Sequence, residues 1–378
     1  MAKSFNLIQN MSFKKQLKKT ARQIHLWLGL ATGIVVFIIS ITGCIYVFEE
    51  EIRDLTKSEK LEIPLQQKPF AGLEKIISTF KKEFPKEKIT LIRINEKEKN
   101  TPVAVGTKKK IYYFNPYNGS LINGEKPDWL TTVRKLHTSL LLGDTGEFIQ
   151  RWSVVIFILM LLTGIIIWFP NQMKAIKQSL SIKWKASFKR VNYDLHNVLG
   201  FYASWILIII ALTGVFFAFD AVKHTAAFLS GSSLSDGKDA APARIPLGET
   251  QEIRYDRIYK TAMLNYPGAD LTTLSIRKDG DLRLRLLYPY HWSRKQNTFF
   301  YNAKTGALMR YKLYKDFNNA DVIEATNYDL HTGRLFGLFG KIIAFLASLI
   351  AASLPITGFM IWLKKKKKKP SKRVSKIS

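Results

Sequence analysis

The residues best suited to bind a metal in this 378-residue sequence are its histidines. The sequence has six histidines and a single cysteine. One cysteine excludes a disulfide framework, a cysteine zinc site and an iron–sulfur cluster within one chain. Four histidines precede a Thr-Gly pair at two fixed spacings, His-x16-Thr-Gly and His-x25-Thr-Gly. The first spacing belongs to His25 and His196, the second to His137 and His331.

The chain also resembles itself. Residues around His25 recur around His196 at an offset of 171, and residues around His137 recur around His331 at an offset of 194. Self-similarity of this kind indicates a tandem duplication. One unit of apolar helix, outer domain and second apolar helix is therefore predicted to occur twice. His224 and His291 have no counterpart, and we interpret both as surface or interface residues.

The positive charge of the chain is concentrated in a few segments. Lys and Arg number 58 against 29 Asp and Glu, giving a formal net charge of +29. Three segments, 1–23, 170–192 and 364–378, are rich in Lys and Arg and contain no acid. Each adjoins an apolar stretch, as the positive-inside rule requires of a membrane protein. This placement explains the charge without nucleic acid, so we predict no nucleic-acid partner.

Four apolar stretches are long enough to cross a bilayer, which takes about 20 helical residues. They are residues 24–48, 148–169, 201–219 and 342–363. With the basic segments inside, both termini are cytoplasmic and two larger segments lie outside. The sequence therefore predicts a multi-pass protein of the bacterial inner membrane, with a lipid bilayer as its first partner. The predicted fold is membrane α-helical plus α+β, a four-helix transmembrane bundle with two small α+β periplasmic domains.

Each outer segment has the pattern of a helix followed by short strands. Amphipathic helices are predicted at 70–84 and 253–264. Strands are predicted from β-branched and aromatic runs at 88–94, 102–106, 109–115, 271–277, 282–288 and 298–302. Tyr and Trp at 288–292, with Arg283, Arg285 and Arg294, could bind an anionic chelate. An interfacial aromatic belt is the alternative explanation of these aromatic residues.

These signals divide the chain into consecutive segments. The predicted segments are a cytoplasmic basic tail at 1–23, helix 1 at 24–48, outer domain 1 at 49–128, an outer amphipathic segment with helix 2 at 129–169, a cytoplasmic basic loop at 170–192, helix 3 at 193–220, outer domain 2 at 221–328, an outer segment with helix 4 at 329–363, and a cytoplasmic basic tail at 364–378.

Helix geometry predicts where the histidines lie. At about 1.5 Å per residue, the helix from His25 to its Thr-Gly pair spans about 26 Å, close to one hydrocarbon thickness. We therefore expect His25 and His196 near the cytoplasmic face, and His137 and His331 near the outer face. Two facing imidazoles suit a six-coordinate haem iron, whereas zinc needs more protein ligands.

Glycines near the histidines are compatible with a bound macrocycle. Gly29 and Gly200 lie one turn after a predicted ligand, and we assign them to the cofactor site. The glycines of the Thr-Gly pairs lie at the opposite helix ends, where a macrocycle held by the other histidine pair could approach the backbone. Small residues in membrane helices also serve helix packing, which is the alternative for all of these glycines.

The same motifs resemble a known family. The runs LHNVLG at 195–200 and LTG at 212–214, with LHTSLLLG at 136–143 and TGIIIW at 163–168, are similar to the helix motifs of PepSY-associated transmembrane proteins. The outer segments resemble PepSY domains, and the likeness extends over residues 22–362. The best understood members are inner-membrane ferric-siderophore reductases that carry two b-type haems with histidine ligands.

The resemblance implies two haem b groups in this chain. It implies that His25, His196, His137 and His331 are the axial ligands of the haem iron. The activity that follows is haem-dependent reduction of a ferric siderophore or other iron chelate in the periplasm, as part of electron transport through the inner membrane. No separate catalytic side chain is assigned.

The electron donor has to be another molecule. The chain has no Gly-x-Gly-x-x-Gly motif, and the loop at 170–192 is too short for a nucleotide-binding domain. Quinol or a separate cytoplasmic reductase is therefore the expected donor. The alternative function is a non-enzymatic PepSY membrane protein that binds or restrains peptidases or a signalling partner, with structural histidines. A haem-based sensor is a third hypothesis.

Overall fold

A computed structural model describes residues 2–56, 63–98, 100–125, 129–235, 237–239, 255–277, 281–290, 294–302 and 305–366. The chain forms two compact units. The first, here called the membrane unit, comprises Met1–Glu49, Thr132–Phe219 and Leu330–Ser378. The second, the sheet unit, comprises Glu50–Thr131 and Asp220–Asp329.

Helices account for most of the membrane unit and for part of the sheet unit. The α-helices are α1 (Ala2–Val47), α2 (Glu49–Thr56), α3 (Leu73–Glu83), α4 (Trp129–Ser139), α5 (Gly143–Trp168), α6 (Ile176–Ser179), α7 (Phe188–Asp194), α8 (Gly200–Ala218), α9 (Asp220–Leu229), α10 (Tyr255–Asn265), α11 (Asn319–His331) and α12 (Gly337–Lys366). A π-helical turn, Leu195–Leu199, joins α7 to α8, and 3-10 turns lie at Met173–Ala175, Tyr314–Asp316 and Arg334–Phe336.

Four helical stretches are long and apolar enough to cross a membrane, which confirms the four spans predicted from the sequence. They are Lys14–Val47, Gly143–Trp168, Phe188–Ala218 and Arg334–Lys364. Each of α1 and α8 packs against both α5 and α12. Exposed apolar side chains such as Trp27, Ile34 and Trp205 cover the outside of these helices, as expected where lipid replaces water. The basic N-terminal segment is helical and continues directly into the first span.

Two breaks in the backbone separate the helices that carry His137 and His331 from the spans that follow. Leu140 and Leu141 have positive φ values of 49° and 61°, and Gly143 has 59°, so the chain turns between α4 and α5. Positive φ is uncommon outside glycine, so this turn is a local departure from helical geometry. Gly333 and Gly337 turn the chain between α11 and α12. The helices that carry His137 and His331 therefore end before the following spans begin.

The sheet unit contains a nine-stranded antiparallel sheet among its described residues. The strands are β1 (Leu91–Asn95), β2 (Val103–Gly106), β3 (Ile111–Phe114), β4 (Leu121–Glu125), β5 (Lys238–Asp239), β6 (Leu271–Ile276), β7 (Leu282–Leu287), β8 (Gln296–Tyr301) and β9 (Leu308–Lys312). Their order is β4-β3-β2-β1-β6-β7-β8-β9-β5. The sequence did not predict β4, β5 and β9, which lie toward the ends of the sheet and lack a clear apolar alternation.

Pairing of β1 with β6 joins the two chain segments of the sheet unit into one sheet. Arg93 lies opposite Thr273 at the centre of this antiparallel pair. The hydrophobic core is likewise shared, since Phe80 of α3, Ile258 of α10 and Leu284 of β7 belong to one buried cluster. The sequence predicts two separate outer domains, whereas in the structure their strands form one sheet and their helices pack on one core.

The starts of α3 and α10 cap each other. The Asp256 carboxylate accepts a hydrogen bond from the Leu73 N–H, and the Glu74 carboxylate accepts one from the Asp256 N–H at 2.8 Å. Each carboxylate thereby satisfies an N–H group that a helix leaves unpaired at its first turn. Gly72 precedes α3 with φ 97°, and a Cβ at this position would collide with the Asp256 carboxylate. Burial and the neighbouring Asp256 carboxyl raise the pKa of Glu74 to about 7.

Candidate functional site

The membrane unit brings the four repeated histidines together in two pairs. His25 on α1 faces His196 on the π-helical turn, with ring centroids 6.3 Å apart and ring planes at 88°. His137 on α4 faces His331 on α11, with centroids 6.2 Å apart and planes at 69°. All four rings are partly buried. These are the pairs that the sequence spacing suggested.

The separation within each pair leaves room for one metal ion. A metal–imidazole distance of about 2.0–2.1 Å, with about 1.2 Å from the nitrogen to the ring centre, puts two opposite ligands about 6.4 Å apart. The observed 6.3 Å and 6.2 Å agree with that value. Two rings joined directly by a hydrogen bond would lie closer together, because a nitrogen-to-nitrogen hydrogen bond spans only about 3 Å.

Each imidazole is held through its Nδ1 atom. His25 Nδ1 lies 3.1 Å from the Met160 carbonyl oxygen and 3.1 Å from Thr163 Oγ1. The other three rings have the same two kinds of partner. These are the Ile39 carbonyl and Thr42 for His137, the Leu354 carbonyl and Thr357 for His196, and the Ile210 carbonyl and Thr213 for His331.

These partners determine which ring nitrogen carries the proton. A backbone carbonyl can only accept, so His25 Nδ1 must donate to Met160. The Thr163 hydroxyl donates to the Leu159 carbonyl at 2.8 Å, which leaves its oxygen to accept from the same histidine. Nδ1 therefore holds the proton and Nε2 keeps a lone pair, the arrangement found in metal-binding histidines.

The Thr-Gly pairs act on histidines of neighbouring helices. Thr163 of α5 orients His25 of α1, and Thr42 of α1 orients His137 of α4. In the second half of the chain, Thr357 orients His196 and Thr213 orients His331. The sequence spacing predicted that the Thr-Gly pairs matter but did not predict their hydrogen bonds. A hydroxyl at constant spacing from each histidine was the signal that could have indicated them.

The glycine of each pair makes room for an imidazole edge. A Cβ on Gly164 would lie 3.4 Å from His25 Cε1, and one on Gly43 would lie 3.4 Å from His137 Cε1. At Gly214 the distance to His331 Cε1 is 3.5 Å. At Gly358 the distance to His196 Cε1 falls to 3.1 Å, which is tight for a methyl group. From the sequence, either a macrocycle or helix packing could explain these glycines; in the structure the edge of a histidine ring lies against each of them.

Gly29 and Gly200 lie beside the residues whose carbonyls hold His25 and His196. A Cβ on Gly29 would approach Met160 Cε to 3.2 Å, and one on Gly200 would approach Leu354 Cδ2 to 3.4 Å. Both glycines therefore permit close packing between helices, as small residues do in membrane bundles. Their assignment to the cofactor stays a prediction.

His196 has a further support that the sequence did not reveal. It lies on the π-helical turn, a widened turn often found at functional sites. One turn earlier, Asn192 is buried and donates through Nδ2 to the Thr357 carbonyl at 3.1 Å. This bond ties the histidine-bearing segment to the α12 residue that orients the ring.

The remaining two histidines are His224 and His291. His224 is exposed on α9, and His291 lies outside the described residues. Within the part of the chain that the structure describes, no group of three or more His, Cys, Asp or Glu side chains is placed to hold a metal ion. The described protein donors are thus the two imidazoles of each pair.

Comparison with known proteins identifies the family. Curated protein sequences gave no match. The profile described as the PepSY-associated TM region matches residues 22–365, which is most of the chain. The four apolar helical stretches agree with a membrane protein of this kind. The chain therefore belongs to the PepSY-associated transmembrane family.

Proposed function

We propose that this protein is a di-haem electron conduit of the bacterial inner membrane that reduces a ferric chelate in the periplasm. In this proposal the chain is built from two tandem helix–domain–helix repeats, with both termini cytoplasmic and the sheet unit periplasmic. Electrons come from quinol or a cytoplasmic reductase. The observation that carries the proposal is the pair of metal-sized gaps between oriented imidazoles, at 6.3 Å and 6.2 Å between centroids.

The donor set of each gap fits haem b. The two neutral imidazoles of each pair are the protein ligands that would hold a haem iron. A zinc ion without a macrocycle takes about four protein ligands, twice the number present. When bound, haem supplies reversible one-electron chemistry at its iron. His25 and His196 hold the inner group, and His137 and His331 hold the outer one.

The surrounding residues keep each ligand ready to bind. Four carbonyls and four threonine hydroxyls fix the Nδ1–H tautomer and the ring direction, so that little rearrangement is needed. Hydrogen bonds to the second nitrogen also make an imidazole a stronger donor to a metal. Helix α1 contributes to both sites. It carries His25 of one pair and Thr42, which orients His137 of the other pair. These positions lie about 26 Å apart along the helix.

An absorbance spectrum of the purified full-length protein tests this proposal. Expression with supplied haem is expected to give a reducible b-type Soret and α band, with two haems per chain. The matched control is a variant lacking one histidine of each pair, His25→Ala with His137→Ala, which is expected to be colourless. A folded wild-type protein that stays colourless with haem in excess would overturn the proposal in favour of a non-enzymatic binding role.

A second measurement separates electron delivery from sensing. Haem in the protein is reduced first, and a ferric chelate is then added without oxygen. An electron conduit is expected to reoxidise its haem as ferrous iron appears, one iron per electron. Haem that stays reduced beside a range of ferric chelates would contradict the delivery step and support a sensor.

A further inference from the structure

The face of the sheet opposite α3 and α10 carries several arginines. Side chains alternate along a strand, and Ile92 and Ile94 of β1 are buried against the helices, so Arg93 lies on the other face. On β7, Leu282, Leu284 and Leu286 are buried in the same core, which puts Arg283 and Arg285 on the face that Arg93 shares.

The strand register brings three of these arginines close together. Arg93 pairs with Thr273 of β6, and Thr273 pairs with Arg285 of β7. Arg283 lies two residues before Arg285, opposite Ser275. Neighbouring strands lie about 4.8 Å apart and alternate residues about 7 Å apart, so the three Cα atoms span about 10 Å by 7 Å. Long arginine side chains can converge on one ligand from these positions.

The described chain gives these arginines no negatively charged partner. Arg93, Arg283 and Arg285 make no hydrogen bond or ion pair with any described residue. Nε of Arg283 and Nε of Arg285 are buried and without a hydrogen-bond acceptor in that part of the chain. Lys312 of β9 differs, because its ammonium group lies 2.7 Å from the Asp321 carboxylate.

The arginines are also partly buried and repel one another, and both effects lower the pKa values of Arg283 and Arg285. Burial and repulsion from Arg283, Arg93 and Arg294 lower the pKa of Arg285 to about 10. Burial and Arg277 lower the pKa of Arg283. Collecting partly buried like charges without a counter-charge is unfavourable, and a bound anion removes that cost. Arg294 stacks on Tyr328 at 5.0 Å and adds positive charge nearby.

The geometry points to an anion-binding site formed by Arg93, Arg283 and Arg285 on the sheet. Its ligand is a small polyanion that carries two or more carboxylate or phosphate groups, because guanidinium groups bind both in a bidentate manner. Ser275 lies between Arg283 and β1 and can contribute a hydroxyl. Sequence reasoning singled out Arg283 and Arg285 but missed Arg93, which belongs to the other outer segment.

This site also narrows the substrate class of the proposed reductase. If the ligand is an iron chelate, the site favours a multiply anionic, oxygen-rich chelate over a neutral one. That identification rests on the proposed function, whereas the anion site itself needs no haem.

Binding to the full-length protein tests the site directly. The protein is placed in phosphatidylcholine nanodiscs, which contain no anionic lipid, and titrated calorimetrically with citrate and with pyrophosphate. Saturable one-to-one binding of either ligand, weakened by added salt, is the expected result. Citrate alone would identify a carboxylate ligand and pyrophosphate alone a phosphate ligand. Failure of both to bind would overturn the inference.

Three charge-removing variants locate the site. Arg285→Gln and Arg93→Gln are each expected to weaken binding about ten- to hundredfold, because a charge-assisted bidentate contact is lost. Arg257→Gln is the matched control, since Arg257 is exposed on α10 beyond the opposite face. It is expected to change affinity less than twofold. An equal loss of anion affinity in Arg257→Gln, or no loss of anion affinity in Arg93→Gln, would contradict the site.

Thermal unfolding shows whether a variant loses anion binding because its fold is destabilised. Arg285→Gln removes a partly buried charge without a described partner, so the ligand-free variant is expected to be at least as stable as wild type. Citrate or pyrophosphate, whichever binds, should then stabilise wild type and not the variant. A colourless protein that still binds the anion would overturn the electron conduit alone. A haem-loaded protein that binds neither anion would overturn the anion site alone.

Discussion

The two units of the molecule join the two halves of the chain by different chemistry. In the sheet unit, β1 and β6 pair through backbone hydrogen bonds, and Glu74 and Asp256 cap each other's helices. In the membrane unit the helices pack directly, but the histidines of opposite halves face each other with ring centroids 6.3 Å and 6.2 Å apart. The sheet unit completes its junction with hydrogen bonds between protein atoms, whereas the two rings of each histidine pair are hydrogen-bonded to neighbouring helices and not to each other.

The two histidine pairs differ in how the backbone presents them. His25 lies inside the uninterrupted helix α1 and His196 on a π-helical turn. His137 and His331 end separate helices before turns with positive φ. Nearly equal ring separations arise from these different backbones because the same partners, a carbonyl and a threonine, hold every ring. Ring geometry therefore depends on the contacts between helices more than on the local helix type.

The largest expected effect is the loss of one haem. His196→Ala should remove the inner group and leave the outer one, which halves the Soret absorbance per chain. The reason is that, in the proposed arrangement, each pair would hold its own haem iron, and the two pairs share no histidine. His224→Ala, at an exposed histidine of α9, is the control and should retain both groups. Loss of both haems from a single change such as His137→Ala would refute two independent sites.

A smaller effect is expected from the residues that orient the rings. Thr163→Val keeps the side-chain shape and removes the hydroxyl that accepts from His25, so haem affinity at the inner pair should fall about 10- to 100-fold. Thr42→Val should lower haem affinity at the outer pair, His137 and His331, by a similar factor. Haem titration into the apoprotein measures both.

Ser204→Ala provides the comparison for these threonine variants. Ser204 is buried in α8, and its hydroxyl donates to the Phe201 carbonyl and makes no hydrogen bond with a described histidine. Its removal should leave haem affinity nearly unchanged. An equal loss of haem affinity in Thr163→Val, Thr42→Val and Ser204→Ala would mean that removing a hydroxyl destabilises the protein generally instead of changing the ring orientation.

Adding one methyl group should distinguish the two pairs. Gly358→Ala places a Cβ 3.1 Å from His196 Cε1, whereas Gly43→Ala places one 3.4 Å from His137 Cε1. The closer contact forces the ring to move, since cores tolerate little overpacking. We expect Gly358→Ala to weaken the inner site several-fold and Gly43→Ala to change the outer site little. Haem titration into both variants in one series measures the two affinities. A larger loss of haem affinity in Gly43→Ala than in Gly358→Ala would contradict the prediction.

The smallest effect is a pH dependence in the sheet unit. The pKa of Glu74 is about 7 in the fold, above its ordinary value of 4.5, so the folded state binds the proton more tightly. Stability from this group is thus complete below about pH 4.5 and declines as the pH rises through 7. Glu74→Gln keeps an acceptor for the Asp256 N–H without titrating.

Hydrogen exchange of α3 and α10 measures this difference. Between pH 5 and pH 8, wild type should lose protection relative to Glu74→Gln at the same pH, which cancels the intrinsic pH dependence of exchange. The membrane helices serve as the internal reference and should show no such difference. Equal protection in both proteins across the range would show that the reciprocal caps do not couple to pH.

Much of the candidate site could be predicted because its signals are local. Apolar length predicted four spans, and the recurring spacing of His and Thr-Gly predicted which histidines face each other. The partners of each ring could not be predicted, since Thr163 lies 138 residues from His25 and reaches it only when α1 packs on α5. The shared sheet was missed for the same reason, because antiparallel pairing of β1 with β6 links distant segments whose composition does not specify a partner.

The amino-acid sequence alone determined the four apolar helices, the basic segments beside them and the four matched histidines, since hydrophobicity, charge and spacing act over a few turns of chain. Only the tertiary structure decided the tautomer of each imidazole, the 6.3 Å and 6.2 Å gaps between rings, and the meeting of Arg93 with Arg285. Those features depend on hydrogen bonds and packing between elements far apart in sequence, and such contacts exist only once the chain has folded.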